Sequence, residues 1–406
     1  MKILYLTYDG LSDPLGQSQI MPYLLQLAEK GFSITIVSFE KREAIGESHQ
    51  SIKEKLDEKK INWVPLKYTR HPPVISTIFD ILKLKQECIR LHKENNYRIV
   101  HCRSYITAFA GMLMKKKFRL KFIFDIRGFY ADERVEGGLW NQKKIMYRYI
   151  YQYFKRKEKI FFHAADKIVT LTYAAKKIIV DHFSIAPSKL QVIPCCVDTL
   201  LFDPSKTNLQ QQYSLKEKLS ISKDDFVLSY LGALGTWYLL DEMLDFFRHL
   251  IIQYPNATFL FVTYHPKEKI MQSAIQKNIP AEKIMVVKAK RNDVPGLLAL
   301  SSVSIFFIKP TYSKIASSPT KQAELLSMGI PVICNTRIGD TEEIITKSGA
   351  GLLIDQFTNN EYDRAIKQIP LLLEKDKTKI RDFARHEFSL DRGVNFYSEI
   401  YLELEK

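Results

Sequence analysis

A short segment of this chain, residues 317–334, brings a carboxylate, a cation and several hydroxyls together around the start of one helix. A carboxylate such as Glu324 accepts hydrogen bonds from hydroxyls, and an ammonium such as Lys321 attracts phosphate. Backbone N–H groups at a helix start also favour an anion. A ligand with both a sugar ring and phosphates would use all three features, so the segment predicts a nucleotide-sugar site.

This chemistry requires a strand, a loop, a helix and a second strand in that order. Ile305–Pro310 and Ile330–Cys334 are apolar runs of strand length. Between them, Ser318 suits the N-cap and Pro319 the first position of a helix that Gly329 would end in the left-handed conformation. The pattern predicts a βαβ crossover of a parallel sheet. An ordinary crossover without a ligand is the alternative interpretation.

The same segment resembles the donor-binding signature of family 4 (group 1) glycosyltransferases. That family has the GT-B fold, two doubly wound parallel-sheet α/β domains facing across a cleft, and usually retains the anomeric configuration. Glu324 matches the second Glu of the signature, which binds the donor ribose in the family, whereas Ala316 stands where the first Glu is expected. A shorter Pro-x-Lys-x-x-Glu form fits better and implies that Lys321 contacts phosphate or sugar as a catalytic residue.

Hydroxyl-bearing residues around this helix are further predicted donor contacts: Ser317, Ser318 and Thr320. Lys314 is, with the two serines, a candidate to replace the missing Glu. The resemblance also implies donor contacts from Arg291, at the expected base-binding strand end, and from Gly339 and Asp340, in a loop near the sugar and diphosphate.

A glycine-containing segment follows the first apolar strand of the second half. Gly232, Gly235 and Thr236 precede an apolar-periodic helix, so their N–H groups and hydroxyl could bind phosphate at a helix start. The spacing is not G-x-G-x-x-G, and by itself it is a weak signal. The Arg and Lys that face the diphosphate in the family are absent here. The countercharge would then come from Lys321, Arg127 or Lys309.

In the first half, Gly16 and Gln17 join the first strand to the first helix. A glycine at this junction lets the backbone approach a bound group, and a plain glycine turn is the equal alternative. The resemblance places this loop beside the donor diphosphate and the acceptor, so both residues are predicted donor contacts.

A dense group of charges follows the apolar strand Phe122–Phe124. Charges at the carboxyl end of a strand stand in the crevice of a doubly wound sheet, although a salt-bridged surface loop is the alternative. Arg127 takes about the place of a family His that touches the transferred sugar; because Arg cannot act as a base, we assign it to anion or hydroxyl contact. Asp125 is the favoured catalytic contact to the acceptor hydroxyl. The predicted acceptor-binding residues are Arg103, Asp132, Glu133 and Glu136.

Apolar strand-like runs alternate with helical stretches along the whole chain, which predicts two open parallel sheets. The resemblance implies an acceptor-binding domain over residues 1–195 and a donor-binding domain over residues 196–390. It also implies that the last helix, residues 391–406, crosses back onto the first domain. In the first half the strand-like runs are Lys2–Tyr8, Phe32–Phe39, Ile99–Cys102, Phe122–Phe124 and Ile168–Leu171. In the second half they begin at Phe226 and recur at Thr258–Thr263, Ile284–Val287, Val303–Ile308 and Pro331–Cys334.

The net charge of +15 over 406 residues is unevenly distributed. Residues 1–200 hold 34 Lys and Arg against 20 Asp and Glu, a net of +14, and residues 201–406 hold 26 against 25, a net of +1. The cations are mixed with aromatic residues over 143–162, which favours an anionic membrane surface. Nucleic acid is the rival partner and is unlikely without a nucleic-acid-binding motif. A solvated helix with buried Tyr residues is the bland alternative.

No run of 18 apolar residues is present, so the sequence predicts a cytoplasmic protein, peripheral at the inner face of the membrane. The five cysteines lack a Cys-x-x-Cys spacing and are expected to be reduced and buried. Histidines are scattered and no Asp-x-Asp motif occurs, so no metal and no cofactor are expected.

The leading hypothesis is a retaining glycosyltransferase of the hexosyltransferase type. It would move a sugar from a nucleotide-sugar donor to a lipid-linked or growing glycan acceptor, as in cell-surface polysaccharide or O-antigen synthesis. Two alternatives stay open: a GT-B sugar-nucleotide epimerase or hydrolase, and a non-catalytic glycan- or membrane-binding module.

Overall fold

The computed structural model describes residues 1–41, 47–222 and 224–406. These residues form two compact α/β units. The first contains Met1–Cys196, Ile315–Ser317 and Leu390–Lys406, and the second contains Val197–Lys314 and Ser318–Ser389. Each unit is built around its own parallel sheet.

The first unit has a seven-stranded sheet in the order β3-β2-β1-β4-β5-β6-β7, with every neighbouring pair parallel. Side chains of β1 alternate between two cores: Leu4 and Leu6 enter one, Ile3 and Tyr5 the other. This alternation is expected for a sheet covered by helices on both faces. The strands are β1 (Lys2–Thr7), β2 (Ser33–Glu40), β3 (Asn62–Lys67), β4 (Ile99–Arg103), β5 (Lys121–Asp125), β6 (Lys167–Thr170) and β7 (Leu190–Val192).

Helices connect these strands as crossovers. They are α1 (Pro14–Gln19), α2 (Met21–Glu29), α3 (Glu47–Glu58), α4 (Ile75–Asn95), α5 (Ser104–Phe118), α6 (Tyr130–Glu136), α7 (Ile145–Ala164) and α8 (Tyr173–Phe183). The sequence predicts a single helix from Ser18 to Lys30, and this is wrong. The chain forms α1 and α2 separated by Ile20, whose ψ of −63° comes with a φ of −123° outside the helical range.

The second unit has a six-stranded parallel sheet in the order β10-β9-β8-β11-β12-β13. Its strands are β8 (Val227–Leu231), β9 (Thr258–Val262), β10 (Ile284–Val287), β11 (Val303–Phe306), β12 (Val332–Asn335) and β13 (Gly351–Ile354). Its helices are α9 (Leu209–Lys218), α10 (Leu240–Gln253), α11 (Lys267–Gln276), α12 (Val294–Leu298), α13 (Thr320–Ser327), α14 (Thr341–Ser348), α15 (Asn359–Leu373) and α16 (Lys377–Phe388). The prediction of two doubly wound parallel sheets is confirmed.

The last helix, α17 (Leu390–Glu405), packs against α2 in the first unit. Its buried side chains include Val394, Tyr397 and Tyr401. They join the core on the α2 face of the first sheet.

Strand order reverses once in each sheet, between β1 and β4 in the first and between β8 and β11 in the second. The crossovers on either side of such a point leave in opposite directions and open a crevice at the carboxyl ends of the strands. The residues that follow these four strands are therefore the first place to look for ligand contacts.

Candidate active site

Helix α13 of the second unit carries two buried ionisable side chains less than one turn apart. Glu324 is 4% exposed and Lys321 is 7% exposed. The guanidinium of Arg291 donates a charge-assisted hydrogen bond to the Glu324 carboxylate. Burial raises the pKa of Glu324, and the charges of Arg291 and Lys321 oppose that rise. The carboxylate is thus kept in place by a cation from the loop that follows β10.

Lys321 lies in an aromatic cage. Its Nζ is 4.0 Å from the ring centroid of Tyr230 and 3.5 Å from that of Tyr238, and it donates to the Tyr230 hydroxyl over 2.9 Å. That hydroxyl in turn donates to the carbonyl of Ala233 over 2.8 Å. Burial lowers the pKa of Lys321 well below its usual range, and the nearby Glu324 opposes this shift only in part.

The loop after β8 passes directly over this lysine. A Cβ placed on Gly232 would lie 3.5 Å from Lys321 Nζ, and its φ of +102° suits glycine. An anion bound by this loop would therefore meet the ammonium group. Gly235 and Thr236 are exposed beyond it. The prediction that Thr236 stands at a helix start is wrong, because α10 begins four residues later, at Leu240.

The carboxyl ends of β8 and β11 are joined where the strand order reverses. Tyr238 and Ile308 form an antiparallel bridge, and Lys309 N–H donates to the Trp237 carbonyl over 2.9 Å. Lys314 Nζ stands 3.7 Å from the centroid of Trp237, and the Lys314 carbonyl accepts from Gly339 N–H over 2.9 Å. Three loops of the second unit are thereby held as one surface.

The residues around the start of α13 are distributed differently from the prediction. Ser318 does not cap the helix: the N-cap position belongs to Pro319, and Thr320 is the first helical residue. Ser318 and Ser317 are half-buried, and Ser317 belongs to the first compact unit. Gly329 ends the helix with a φ of +69°, as predicted. Asp340 occupies the position before α14, beside Gly339.

In the first unit, Asp125 is 1% exposed at the end of β5 and is tied to the last helix. The Tyr397 hydroxyl donates to its Oδ2 over 2.9 Å, and Arg127 Nη1 is 3.8 Å from its Oδ1. Burial acts to raise the pKa of Asp125, but Arg127 and His101 outweigh it and hold that pKa below its usual range. Asp125 is a buried anion that positions Arg127, which favours a supporting role over direct contact with an acceptor.

Arg127 adopts a left-handed backbone with a φ of +55°, and its Nη2 lies 3.4 Å from Cys195 Sγ. His101 is buried, with its Nδ1 2.7 Å from the Tyr401 hydroxyl and its Nε2 3.7 Å from Asp125. Burial lowers the pKa of His101. It is a core residue that supports the same strand end.

The carboxyl ends of β1 and β4 meet at the reversal point of the first sheet. Arg103 is buried, and its Nε is 3.5 Å from Asp9 Oδ2. Gly16 is packed so closely that a Cβ would come 2.2 Å from the Gly10 carbonyl. The Gln17 side-chain amide donates to the Leu11 carbonyl over 2.7 Å. Gly16 and Gln17 thus both stabilise the turn that follows β1.

The three acidic residues of α6 do not share one environment. Asp132 accepts from the Tyr151 hydroxyl and the Lys155 ammonium, each over 2.8 Å, so both of its oxygens face α7. This arrangement favours a role in packing for Asp132. Glu133 and Glu136 are half-buried, and Glu133 Oε2 lies 4.0 Å from the Cβ that a side chain at Gly128 would have.

Several side chains that shape these sites are missing from the sequence-based prediction. The rings of Tyr230 and Tyr238 lie against Lys321, and the ring of Trp237 lies against Lys314. The side-chain amide of Asn335 hydrogen-bonds both the N–H and the carbonyl of Ile308. Aromatic residues in a strand or after it are usually core, so their spacing gave no signal. All five cysteines are buried and none forms a disulfide, as predicted.

Among the residues that the structure describes, no group of three or more His, Cys, Asp or Glu side chains is placed to hold a metal ion. Within the same ranges, no helix is both long and apolar enough to cross a membrane.

Residues 23–200 match the family described as Glycosyltransferase Family 4, and residues 211–386 match Glycosyl transferases group 1. The chain belongs to this glycosyltransferase family. It is a glycosyltransferase that takes its sugar from a nucleotide-sugar donor, with the GT-B fold. The epimerase and binding-module alternatives are not favoured by this membership.

Two curated relatives are similar to this glycosyltransferase over most of its length. An uncharacterised glycosyltransferase of Methanocaldococcus jannaschii is 25% identical over 329 residues, which cover 73% of each chain. The alpha-monoglucosyldiacylglycerol synthase of Acholeplasma laidlawii is 21% identical over 296 residues, 69% of this chain and 65% of the relative.

Among solved structures, Anabaena HepE in complex with UDP and glucose superposes on this glycosyltransferase with a TM-score of 0.67. The two are 14% identical, and the match covers 99% of each chain. At that identity the likeness establishes the shared fold.

Proposed function

We propose that this protein is a retaining glycosyltransferase that acts at an anionic membrane surface. It transfers a hexosyl group from a nucleotide sugar to a hydroxyl of a lipid-linked or growing glycan. The second unit binds the donor and the first unit binds the acceptor. The observation that carries the proposal is the buried pair of Glu324 and Lys321 on α13 below the Gly232 loop.

The donor site follows from the chemistry of these residues. Glu324 is a carboxylate that Arg291 holds at the edge of the sheet, where ribose hydroxyls could replace or share the guanidinium hydrogen bonds. Lys321 and the exposed N–H groups after Gly232 would meet the diphosphate. The surface around Lys314 and Gly339 would face the transferred sugar, with Ser318, Thr320 and Asp340 beside it.

Catalysis would rest on positioning and on electrostatic stabilisation of the departing diphosphate. A cation enclosed by aromatic rings is shielded from water, so its interaction with a phosphate is stronger than at an exposed site. On the acceptor side, Arg127 is held by Asp125 and can contact a hydroxyl or an anion. Arg103 and Glu133 are the next candidates.

A lipid-linked acceptor is supported by the charge of the first half and by one relative. Residues 1–200 carry a net charge of +14, which attracts an anionic leaflet. The name of the Acholeplasma relative specifies a glucosylated diacylglycerol.

The donor assignment is tested by a thermal-shift screen of UDP, GDP, ADP and CMP sugars. A ligand that binds only the folded state raises the melting temperature, by the equivalent of about 2.7 kcal/mol at one hundred times its Kd. We expect one nucleotide class to stabilise the protein and Glu324→Ala to abolish that shift. Glu343→Ala, an exposed residue of α14 paired with Lys347, is the matched control and should keep it. An unchanged shift in Glu324→Ala would remove this residue from the donor site.

The transfer itself is tested by release of the nucleotide diphosphate with and without a synthetic isoprenyl-diphosphate sugar. Release that depends on the acceptor supports the proposal. Complete turnover of the donor alone would instead indicate a hydrolase or an epimerase.

A further inference from the structure

The first unit contains an apolar groove that none of the assigned contacts uses. Its volume is about 610 Å³, within the usual ~300–1,000 Å³ range of small-molecule sites. Aromatic side chains from separate parts of the first unit form much of its wall: Tyr8, Tyr68, Phe109, Tyr130, Trp140 and Phe154. Its aliphatic lining, which includes Ile78, Ile81 and Leu82, would pack against a hydrocarbon chain.

The charged residues of the groove all have one sign. Arg70, Lys85 and Arg134 line it, and no Asp or Glu is among the described residues that do so. Arg134 stacks on the Tyr130 ring at 4.9 Å, and Lys85 lies 5.9 Å from the centroid of Phe109. An amphiphile with a hydrocarbon chain and an anionic group would satisfy both the apolar wall and the cations.

Two helices extend the apolar lining onto the surface. Ile78 and Leu82 of α4 line the groove and are 53% and 54% exposed, and Ile75 and Phe79 continue the same helical stripe at 51% and 59%. Tyr149 and Tyr153 of α7 line its other side and are also exposed. Exposed apolar stripes on both walls indicate that the groove opens toward an apolar phase.

The groove is lined by residues that neighbour two of the predicted acceptor contacts, Arg103 and Glu133. Tyr8 lines the groove and precedes Asp9, which is paired with Arg103 at the carboxyl end of β1. Tyr130 and Arg134 occupy one face of α6, next to Glu133. A chain lying in the groove would therefore present its head group to the polar edge of the sheet.

We propose that this groove binds the hydrocarbon chain of the lipid that carries the acceptor, with the phosphate of that lipid paired to its arginines. The inference rests on the proposed transfer to a lipid-linked acceptor. Cations mixed with Tyr and Trp favour an anionic lipid, because the cations attract its phosphate and these amphipathic rings settle at a membrane surface.

The probe is dodecyl phosphate below its critical micelle concentration. Dodecanol, which has only the hydrocarbon chain, and inorganic phosphate, which has only the anionic group, are tested beside it. We expect saturable one-to-one binding of dodecyl phosphate by calorimetry and a change in tryptophan fluorescence. Trp140→Phe should lose the fluorescence change but keep the binding, because Trp63 and Trp237 lie outside the groove. Leu82→Ser should weaken binding roughly tenfold and Arg134→Gln roughly fivefold. Leu371→Ser and Arg385→Gln, exposed and outside the groove, are the matched controls.

Equal binding of inorganic phosphate, or equal loss in the control variants, would overturn the inference. So would sedimentation showing that the face joins two copies of the chain and that Leu82→Ser separates them. The donor screen is independent of this outcome. Dodecyl phosphate binding together with a negative donor screen would reject the donor site and still support the groove.

Discussion

Lys321 is buried under a glycine loop with two tyrosine rings against its ammonium group, an unusual place for a lysine that only stabilises a fold. Burial lowers the pKa of Lys321, so it loses its proton at a lower pH than an exposed lysine, whose pKa is about 10.4. A diphosphate needs the charged form. Nucleotide diphosphate affinity should thus be highest below the folded pKa of Lys321 and fall as pH rises through it.

This pH dependence is measured by calorimetry between pH 6 and 10. Lys321→Met should weaken binding and remove the fall, since the ammonium group that loses its proton is gone. Lys367→Met, an exposed lysine of α15, should bind like the unchanged protein. A fall with the same midpoint in Lys321→Met would show that another group is responsible.

Arg291 opposes the rise that burial causes in the pKa of Glu324. Arg291→Met leaves a buried carboxylate with one fewer donor and should lower the free energy of unfolding by about 1–3 kcal/mol at pH 7.5. The pKa of Glu324 is already raised by burial and should rise further in the variant. A carboxyl group whose pKa is higher in the folded than in the unfolded protein lowers the free energy of unfolding only above its unfolded pKa. The loss in the variant should therefore shrink toward pH 4.

Urea denaturation at pH 4 and pH 7.5 measures this loss. Arg364→Met, which breaks the exposed pair with Glu361, is the control and should cost under about 1 kcal/mol at either pH. An equal loss at both pH values would mean that the Arg291 side chain acts through packing on Phe202.

At the scale of elements, α17 supplies a hydrogen-bond donor to one oxygen of Asp125, Oδ2, at the end of β5. Tyr397→Phe removes a hydrogen bond to a buried carboxylate and should cost about 1.5–3 kcal/mol. Tyr401→Phe removes the hydrogen bond between its hydroxyl and the ring of His101, which involves no carboxylate, and should cost only about 0.5–1.5 kcal/mol. Chemical denaturation of both variants checks the order. A smaller loss in Tyr397→Phe would argue against an ionised Asp125.

The central strands of both sheets could be predicted from the sequence because they are buried on both faces and read as continuous apolar runs. The strands that sequence reasoning missed, β3, β7 and β13, all lie at sheet edges. An edge strand packs less fully, so its pattern is weaker: β3 contains Pro65, β7 has three residues and β13 starts with Gly351. β10 also lies at an edge, but its four residues, Ile284–Val287, are all apolar and the sequence predicts it. An edge position therefore hides a strand only where the local apolar pattern is also weak.

The candidate site could also be predicted only in part from the sequence. Glu324 and Lys321 follow from spacing on one helix, a short-range property. The Arg291 contact, the aromatic cage and the Asp125–Tyr397 bond each join residues separated by 33 or more positions in the chain. These contacts depend on which strands become neighbours in the sheet, and strand order cannot be read from one sequence.

At the scale of the whole molecule, the uneven charge predicts adsorption to anionic lipid. Lys143, Lys144 and Lys159 are exposed at α7 and just before it. Replacing all three with Gln should weaken partition by about 3 kcal/mol, roughly a hundredfold, at about 1 kcal/mol per cation near the surface. The effect should diminish at high salt.

Pelleting with vesicles that contain 30% phosphatidylglycerol, against pure phosphatidylcholine, measures this partition. The matched control replaces Lys367, Lys375 and Lys379, exposed lysines of the second unit, with Gln. Partition that is independent of anionic lipid would reject membrane attachment through the first unit.

The central claim is that Glu324 and Lys321 hold a nucleotide sugar on α13. A crystal structure of the protein with the nucleotide diphosphate selected by the thermal screen tests it most directly. We expect the Glu324 carboxylate within hydrogen-bond distance of the ribose hydroxyls and the Lys321 ammonium at the diphosphate. A nucleotide bound elsewhere, with Glu324 still paired only to Arg291, would contradict it.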